Sequence, residues 1–181
     1  MVEFSSWDIL RNLLEAARWT VGLSLSAFIG GGIVGLMLLV LRLSKVRGSD
    51  TFVGGYVQLF QGTPLLIQLI IIFVGLPQVG IRLNVVQSAI IGLGLNRGAY
   101  LAEVVRGGLL SVHHGQIEGA RALGMTRTQV ITKVVGPQAF RVIVPIVGNE
   151  VNGTLKYSSL AAVISMEELT RRAQIMMQVQ L

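Results

Sequence analysis

The sequence predicts an all-α membrane protein, a polytopic bundle of helices that cross a lipid bilayer. Of its 181 residues, 52% are apolar and only 13% are charged, whereas a soluble domain carries about 25% charged residues. The mean hydropathy is +0.68. Two stretches without charge, residues 20–41 and 51–81, each reach the roughly 20 residues that one crossing needs. A disordered chain is therefore excluded, and a soluble enzyme is disfavoured.

The apolar stretches predict four crossings in a single domain, residues 1–181. The first is rich in glycine, which lets helices approach closely in lipid. Pro64 interrupts the second and is expected to kink it. The third is only partly apolar, and the fourth is short and polar. The predicted crossings are about residues 19–41, 52–77, 83–110 and 142–157.

Basic residues predict the direction of each crossing. Residues 42–50 contain three Lys or Arg, and the stretch from Arg106 to Arg141 contains five, whereas residues 77–83 contain one. Cytoplasmic loops carry the excess of positive charge. We therefore expect residues 42–50 and the amphipathic, non-crossing loop 111–141 to be cytoplasmic, and both chain ends to be external.

Several kinds of chemistry find no support in the sequence. The chain has no cysteine, its two histidines are adjacent, and no other cluster has the spacing of metal ligands. No catalytic triad spacing and no G-x-x-x-x-G-K-[ST] loop for ATP occurs. We thus predict no catalytic residues, no metal and no cofactor. The net charge of +6 is assigned to membrane topology rather than to nucleic-acid binding.

Polar residues recur at helical spacing within the predicted crossings. Polar groups in hydrocarbon are costly, so they face a bundle interior or a water-filled path. Gln58, Gln61 and Gln68 are interpreted as hydrogen-bonding contacts between helices. Glu103 and Arg106, three residues apart, predict a structural ion pair. The residues assigned to a substrate path are Asn96, Tyr100, Asn149, Glu150 and Lys156.

The cytoplasmic loop carries a motif that resembles a known one. From Glu118 to Pro137 it is similar to the EAA loop of ABC importer membrane subunits, whose pattern is E-A-A, three residues, G, nine residues, I-x-L-P. Glu118, Ala120, Gly124 and Pro137 match at the right spacing, and Gly119 replaces an alanine. From the residues alone, Gly124 suits a helix C-terminus, and an interfacial helix lying on lipid remains an alternative.

Three further segments resemble the permeases for polar amino acids within that family. They are F-Q-G-T-P-L-L at 60–66, A-Y-L-A-E-V-V-R-G-G at 99–108, and G-N-E with K-Y-S-S-L at 148–150 and 156–160. The resemblance spans residues 20–175 and implies the type I importer permease fold. Such subunits usually have a fifth crossing after the stretch matching 166–180, so we expect the fold to lack its usual last helix.

The resemblance also implies function, partners and location. It implies a membrane-spanning subunit of an ATP-driven importer in the bacterial inner membrane, not itself an enzyme. Implied partners are a second permease subunit in a homo- or heterodimer, cytoplasmic ATP-binding subunits, an extracytoplasmic amino-acid-binding protein and the lipid bilayer. The implied ATPase-coupling residues are Glu118, Ala120, Ala122 and Gly124.

Other functions are weighed against this one. A passive channel or a helix-bundle scaffold explains the polar stripes but leaves the cytoplasmic loop without a role. A truncated permease without function is a further alternative. A membrane enzyme needs clustered acid, base or metal-binding residues, which the sequence lacks.

One residue bears on the choice of substrate. Glu150 stands where the family usually has Gln, about 12 Å into a helix that rises 1.5 Å per residue. A carboxylate at that depth needs a cationic partner. Arg97 could supply it. If Arg97 does not, the partner is expected to be a basic amino acid substrate.

Overall fold

The computed structural model describes residues 5–44 and 46–180, and within these residues the secondary structure is entirely helical. Residues Leu65–Gln78 and Arg127–Ile164 are continuous helices that each contain one wider π turn, at Ile71–Gly75 and Ile131–Val135. The helices are α1 (Ser6–Leu43), α2 (Ser49–Gly62), α3 (Leu65–Gln78), α4 (Val85–Leu110), α5 (His114–Ala122), α6 (Arg127–Ile164) and α7 (Leu169–Gln180).

Side-chain caps define where several helices begin. Ser5 and Asp8 form a capping box at the start of α1, and Asn84 and Gln87 form another at the start of α4. In each box a side chain satisfies an amide N–H that lacks a partner in the first helical turn. α6 ends in a tighter 3₁₀ turn, Ser158–Ile164.

Helix α4 is the centre of the bundle and packs against α1, α2, α3 and α6. Its contact with α1 is made by small residues. A Cβ atom on Gly31 would lie 2.8 Å from the carbonyl oxygen of Gly94, and one on Gly35 would lie 3.0 Å from that of Gly98. The two backbones therefore touch directly, which is the small-xxx-small packing common between helices in lipid.

The two ends of the bundle differ. At one end, α7 packs on the N-terminal half of α1, where the amide of Leu169 donates to the Thr20 hydroxyl at 3.0 Å. At the other end, the Arg42 guanidinium of α1 donates to Glu103 of α4 at 2.7 Å. Arg106 donates to the same carboxylate at 2.9 Å, so the predicted Glu103–Arg106 ion pair is confirmed and Arg42 joins it.

The membrane-spanning segments differ in extent from the prediction. α1 and α6 are each long and apolar enough to cross a membrane, and α2 with α3 form one candidate span bent by 103°. The helix that contains the predicted fourth crossing at 142–157 is longer than that crossing: α6 already begins at Arg127, so the last part of the predicted loop 111–141 is helical. A helix of 38 residues is about 57 Å long, so its basic first turns extend beyond a hydrocarbon core of about 30 Å.

The second crossing, predicted at 52–77, is not a single kinked helix. The chain leaves the helical conformation at Thr63 (φ −112°, ψ 141°) and Pro64 (φ −58°, ψ 132°). Proline disfavours the helical conformation in the residue before it and has no N–H to donate. Two consecutive extended residues turn the chain by far more than a proline kink does, so α3 departs from α2 at 103°.

Candidate functional site

The break between α2 and α3 exposes backbone carbonyls that buried amide side chains satisfy. The Gln68 side-chain amide donates to the carbonyl oxygens of Phe60 at 2.9 Å and Thr63 at 3.0 Å. Its own oxygen accepts from Asn96 of α4 at 3.1 Å, and Asn96 also donates to Phe60 at 3.1 Å. The bend is thus fixed to α4, as the interpretation of Gln68 as a contact between helices predicts.

Replacing Gln68 with Leu should loosen this bend. The carbonyl of Thr63 would lose a buried donor and Asn96 would lose an acceptor, at a cost of about 1–3 kcal/mol for each unsatisfied group. We expect faster proteolysis at Thr63 in the assembled protein, or faster labelling of a cysteine introduced at that position. The exposed Gln58 on α2 provides the control, because its replacement with Leu should leave labelling at Thr63 unchanged.

Arg97 is the charged centre of the bundle. Its side chain, on α4, is nearly fully buried, at 4% exposed. It donates to the carboxylate of Glu150 on α6 at 2.6 Å and to the side-chain oxygen of Asn96 at 2.7 Å. The guanidinium carbon lies 4.8 Å from the ring centre of Tyr100 and 4.9 Å from that of Tyr157. Two aromatic faces and a carboxylate therefore hold one cation.

A cavity of about 450 Å³ opens between the α2–α3 break, α4 and the end of α6. This volume is in the range of small-molecule sites. Leu65, Leu66 and Leu160 supply apolar wall. The polar groups at the cavity come from Gln61, Thr63, Asn96, Arg97, Tyr100 and Tyr157.

The residues assigned to a substrate path fall into three groups. Asn96 and Tyr100 line the cavity. Glu150 forms an ion pair with Arg97. A basic substrate was expected only if Arg97 did not pair with Glu150, so that expectation loses its basis. Asn149 and Lys156 are exposed on α6 and do not belong to the cavity lining.

Sequence reasoning missed part of this site. It identifies Arg97 only as a partner for Glu150, Gln61 only as a contact between helices, and Tyr157 only as one position of the K-Y-S-S-L segment. The available signal was an arginine in an apolar stretch, which in a membrane marks a functional position. The proline break, which gathers these side chains, was a second signal.

The residues assigned to ATPase coupling lie on and after α5. Glu118 is exposed, and its Oε1 atom lies 3.1 Å from Nδ1 of His114. Ala122 is also exposed, whereas Ala120 is buried against its own chain. Close packing of Ala120 on another protein is therefore not supported by its position. Leu123, which sequence reasoning did not single out, is 85% exposed.

Gly124 ends α5 in a Schellman motif. Its φ is +78°, a left-handed conformation that glycine adopts without a steric penalty. The amide of Gly124 donates to Arg121, and the amide of Met125 donates to Ala120, which is the bonding pattern of this motif. Thr126 then caps α6. The short helix is thereby set apart from α6, with Leu123 projecting at the turn.

Comparison with known proteins gives a consistent result. Residues 29–181 match the family described as the inner membrane component of binding-protein-dependent transport systems. The chain is 40% identical to the L-cystine transport system permease protein TcyB of Bacillus subtilis (strain 168), covering 96% of this chain and 73% of that protein. It is 35% identical to the putative glutamine transport system permease protein GlnP of Rickettsia prowazekii (strain Madrid E), covering 90% and 75%.

The fold is likewise similar to a solved one. A crystal structure described as an amino acid ABC transporter with histidines superposes with a TM-score of 0.90 at 34% sequence identity, covering 99% of this chain and 85% of that one. Family match, relatives and fold agree with the four motifs found in the sequence. The chain belongs to the inner membrane components of binding-protein-dependent transport systems and, within them, to the amino acid ABC transporter permeases.

Proposed function

We propose that this chain forms the translocation path of an ATP-driven importer of polar amino acids and docks the ATPase through α5 and Gly124. The observation that carries the docking is the exposed short helix after α4, with Glu118 and Leu123 facing away from the bundle. The chain has no phosphate-binding loop of its own. Energy must therefore come from separate ATP-binding subunits that contact this chain.

The proposed orientation puts α5 and the Arg42–Glu103 end in the cytoplasm. Both belong to the segments richest in Lys and Arg, which favours the inside. The first turns of α1 and α7 then face outward, where an amino-acid-binding protein delivers substrate. Most of α6 is exposed in the isolated chain, and its polar Asn149, Asn152 and Lys156 favour a second permease subunit there rather than lipid.

The substrate class follows from the relatives and from the cavity. Two relatives are named for cystine and glutamine transport, and another, from Corynebacterium glutamicum, for arginine transport. Their side chains differ in charge and size, while this cavity offers polar groups of several kinds. We therefore propose polar amino acids as a class.

Reversing the charge of Glu118 tests the docking. We expect Glu118→Lys to reduce co-purification of the ATPase subunit by about tenfold or more, because a reversed charge at the interface would face a group of the same sign on the partner. Uptake should fall in proportion, with the membrane level of the permease unchanged. These quantities can be measured by pull-down, radiolabelled uptake and immunoblotting of membranes.

The matched control is Glu15→Lys. Glu15 is a similarly exposed carboxylate near the opposite end of the bundle, so its reversal should leave ATPase co-purification intact. A Glu118→Lys complex that retains the ATPase and couples ATP hydrolysis to uptake would contradict docking through α5. Uptake that persists without any ATPase subunit would favour a passive channel.

A further inference from the structure

We propose that a second groove at the bend between α2 and α3 binds one acyl chain of a membrane phospholipid. The groove has a volume of about 200 Å³ and lies between the two arms of the bent span and α4. It is distinct from the cavity beside Arg97. Among the residues that the structure describes, Thr63 is the one that both linings share, and the groove has no lining residue from α6.

The bend gives the groove its walls. Leu59 lies on α2, Ile67 and Ile71 lie on α3, and the angle of 103° between the two arms leaves a space between them. Ile72, which is 8% exposed, and Leu95 of α4 form the deeper part of the groove. Atoms that line an unfilled space lose the dispersion contacts that a neighbour would give. An apolar occupant restores these contacts.

The groove offers little to a polar ligand. In the described part of the chain its lining contains two polar side chains, Thr63 and Gln68. The Thr63 hydroxyl donates to the Leu59 carbonyl at 2.7 Å and accepts from the Gln68 amide at 2.7 Å. The Gln68 side-chain oxygen accepts from Asn96. Both side chains therefore have their partners within the bundle, and a cavity with apolar walls does not hold water.

The groove opens on the surface that meets the bilayer. Three of its lining residues, Leu59, Ile67 and Ile71, are 59%, 47% and 58% exposed. Ile70 and Val74 continue this exposed apolar surface along α3. The chain belongs to a family of inner membrane components, and α2 with α3 form a candidate span. The medium that surrounds this surface is therefore lipid hydrocarbon, and the groove is continuous with the contact between protein and bilayer.

The side chains of the wall favour a lipid chain over another helix. Helices that pack in lipid do so through small residues, which let their backbones approach. The contact of α1 with α4 through Gly31 and Gly35 is of this kind. The exposed wall of the groove instead consists of the large side chains Leu59, Ile67 and Ile71. These keep a second backbone at a distance, whereas a flexible acyl chain can follow the space between them.

The test uses the assembled importer in nanodiscs that contain phosphatidylcholine with a diazirine in the middle of one acyl chain. After illumination, labelled residues are identified by mass spectrometry of peptides. We expect labelling at Leu59 and Ile71 to exceed that at Val74 by about fivefold or more, because a chain in the groove contacts both arms at once. In Ile67→Trp, where the indole fills the groove, the excess should disappear.

The matched control is Val74→Trp. Val74 is 52% exposed on the same helix and lies outside the groove lining, so the excess at Leu59 and Ile71 should remain. Assembly of each variant is checked by size-exclusion chromatography, and Ile71→Phe replaces Ile67→Trp if the latter does not assemble. Wild-type labelling at Leu59 and Ile71 no greater than at Val74 would overturn the acyl-chain site. So would a filled variant that keeps the excess, or a benzophenone at Ile71 that crosslinks to protein rather than to lipid.

Discussion

Alanine at both Gly31 and Gly35 is expected to destabilise the bundle severely. A Cβ on Gly31 would meet the Gly94 carbonyl oxygen at 2.8 Å, and a Cβ on Gly35 would meet the Gly98 carbonyl oxygen at 3.0 Å. These obstacles are backbone atoms, so no side chain can rotate away and α1 must move off α4. Overpacking of this kind costs about 1–3 kcal/mol at each site, which corresponds to a fall in melting temperature of roughly 5–20 °C for the pair.

The matched control lies on the same helix. A Cβ on Gly30 or Gly32 would meet no atom of a neighbouring helix within 4 Å, so Gly30→Ala/Gly32→Ala changes the same number of atoms without a clash. Its stability should be unchanged or slightly raised, because alanine favours a helix more than glycine does. Melting curves of the purified importer in detergent give the comparison. Equal melting temperatures for the two double variants would show that α1 and α4 do not pack as described.

Replacement of Arg97 with Ala is expected to have the second largest effect. It leaves the carboxylate of Glu150 without its cation and removes the group between Tyr100 and Tyr157. Breaking a buried ion pair from one side costs about 3–5 kcal/mol. We expect a small fraction of the protein to remain assembled after solubilisation, measured by fluorescence-detected size-exclusion chromatography.

A double-mutant cycle identifies the cause. If the unpaired carboxylate is responsible, Glu150→Gln should restore much of the stability lost in Arg97→Ala, and the two changes should be strongly non-additive. Additive losses would mean that Arg97 acts through the tyrosines and Asn96 rather than through Glu150.

The sequence predicted the features that depend on local chemistry. Long uncharged stretches identified α1, the glycine at 124 identified a helix end, and the glutamine at 68 identified a contact within the bundle. The start of α6 was missed because Lys133 and Arg141 made the segment look too polar to cross. A helix longer than the bilayer core places such residues outside the core. The polarity of a segment therefore does not show whether it belongs to a loop or to the end of a long helix.

The site was predicted less well because it depends on the directions in which the helices run. Pro64 signalled a break, but the angle of 103° is set by the conformation of two residues and by hydrogen bonds from Gln68 and Asn96. That angle decides which side chains meet. Arg97 and Tyr157 are 60 positions apart in the sequence, and no local pattern connects them.

The glycine contact between α1 and α4 has a mechanical consequence. Helices separated by flexible side chains can slide by exchanging rotamers, whereas helices that touch backbone to backbone have no such freedom. α1 and α4, also joined by Arg42 and Glu103, therefore form one rigid pair, and any displacement of one of them carries the other with it.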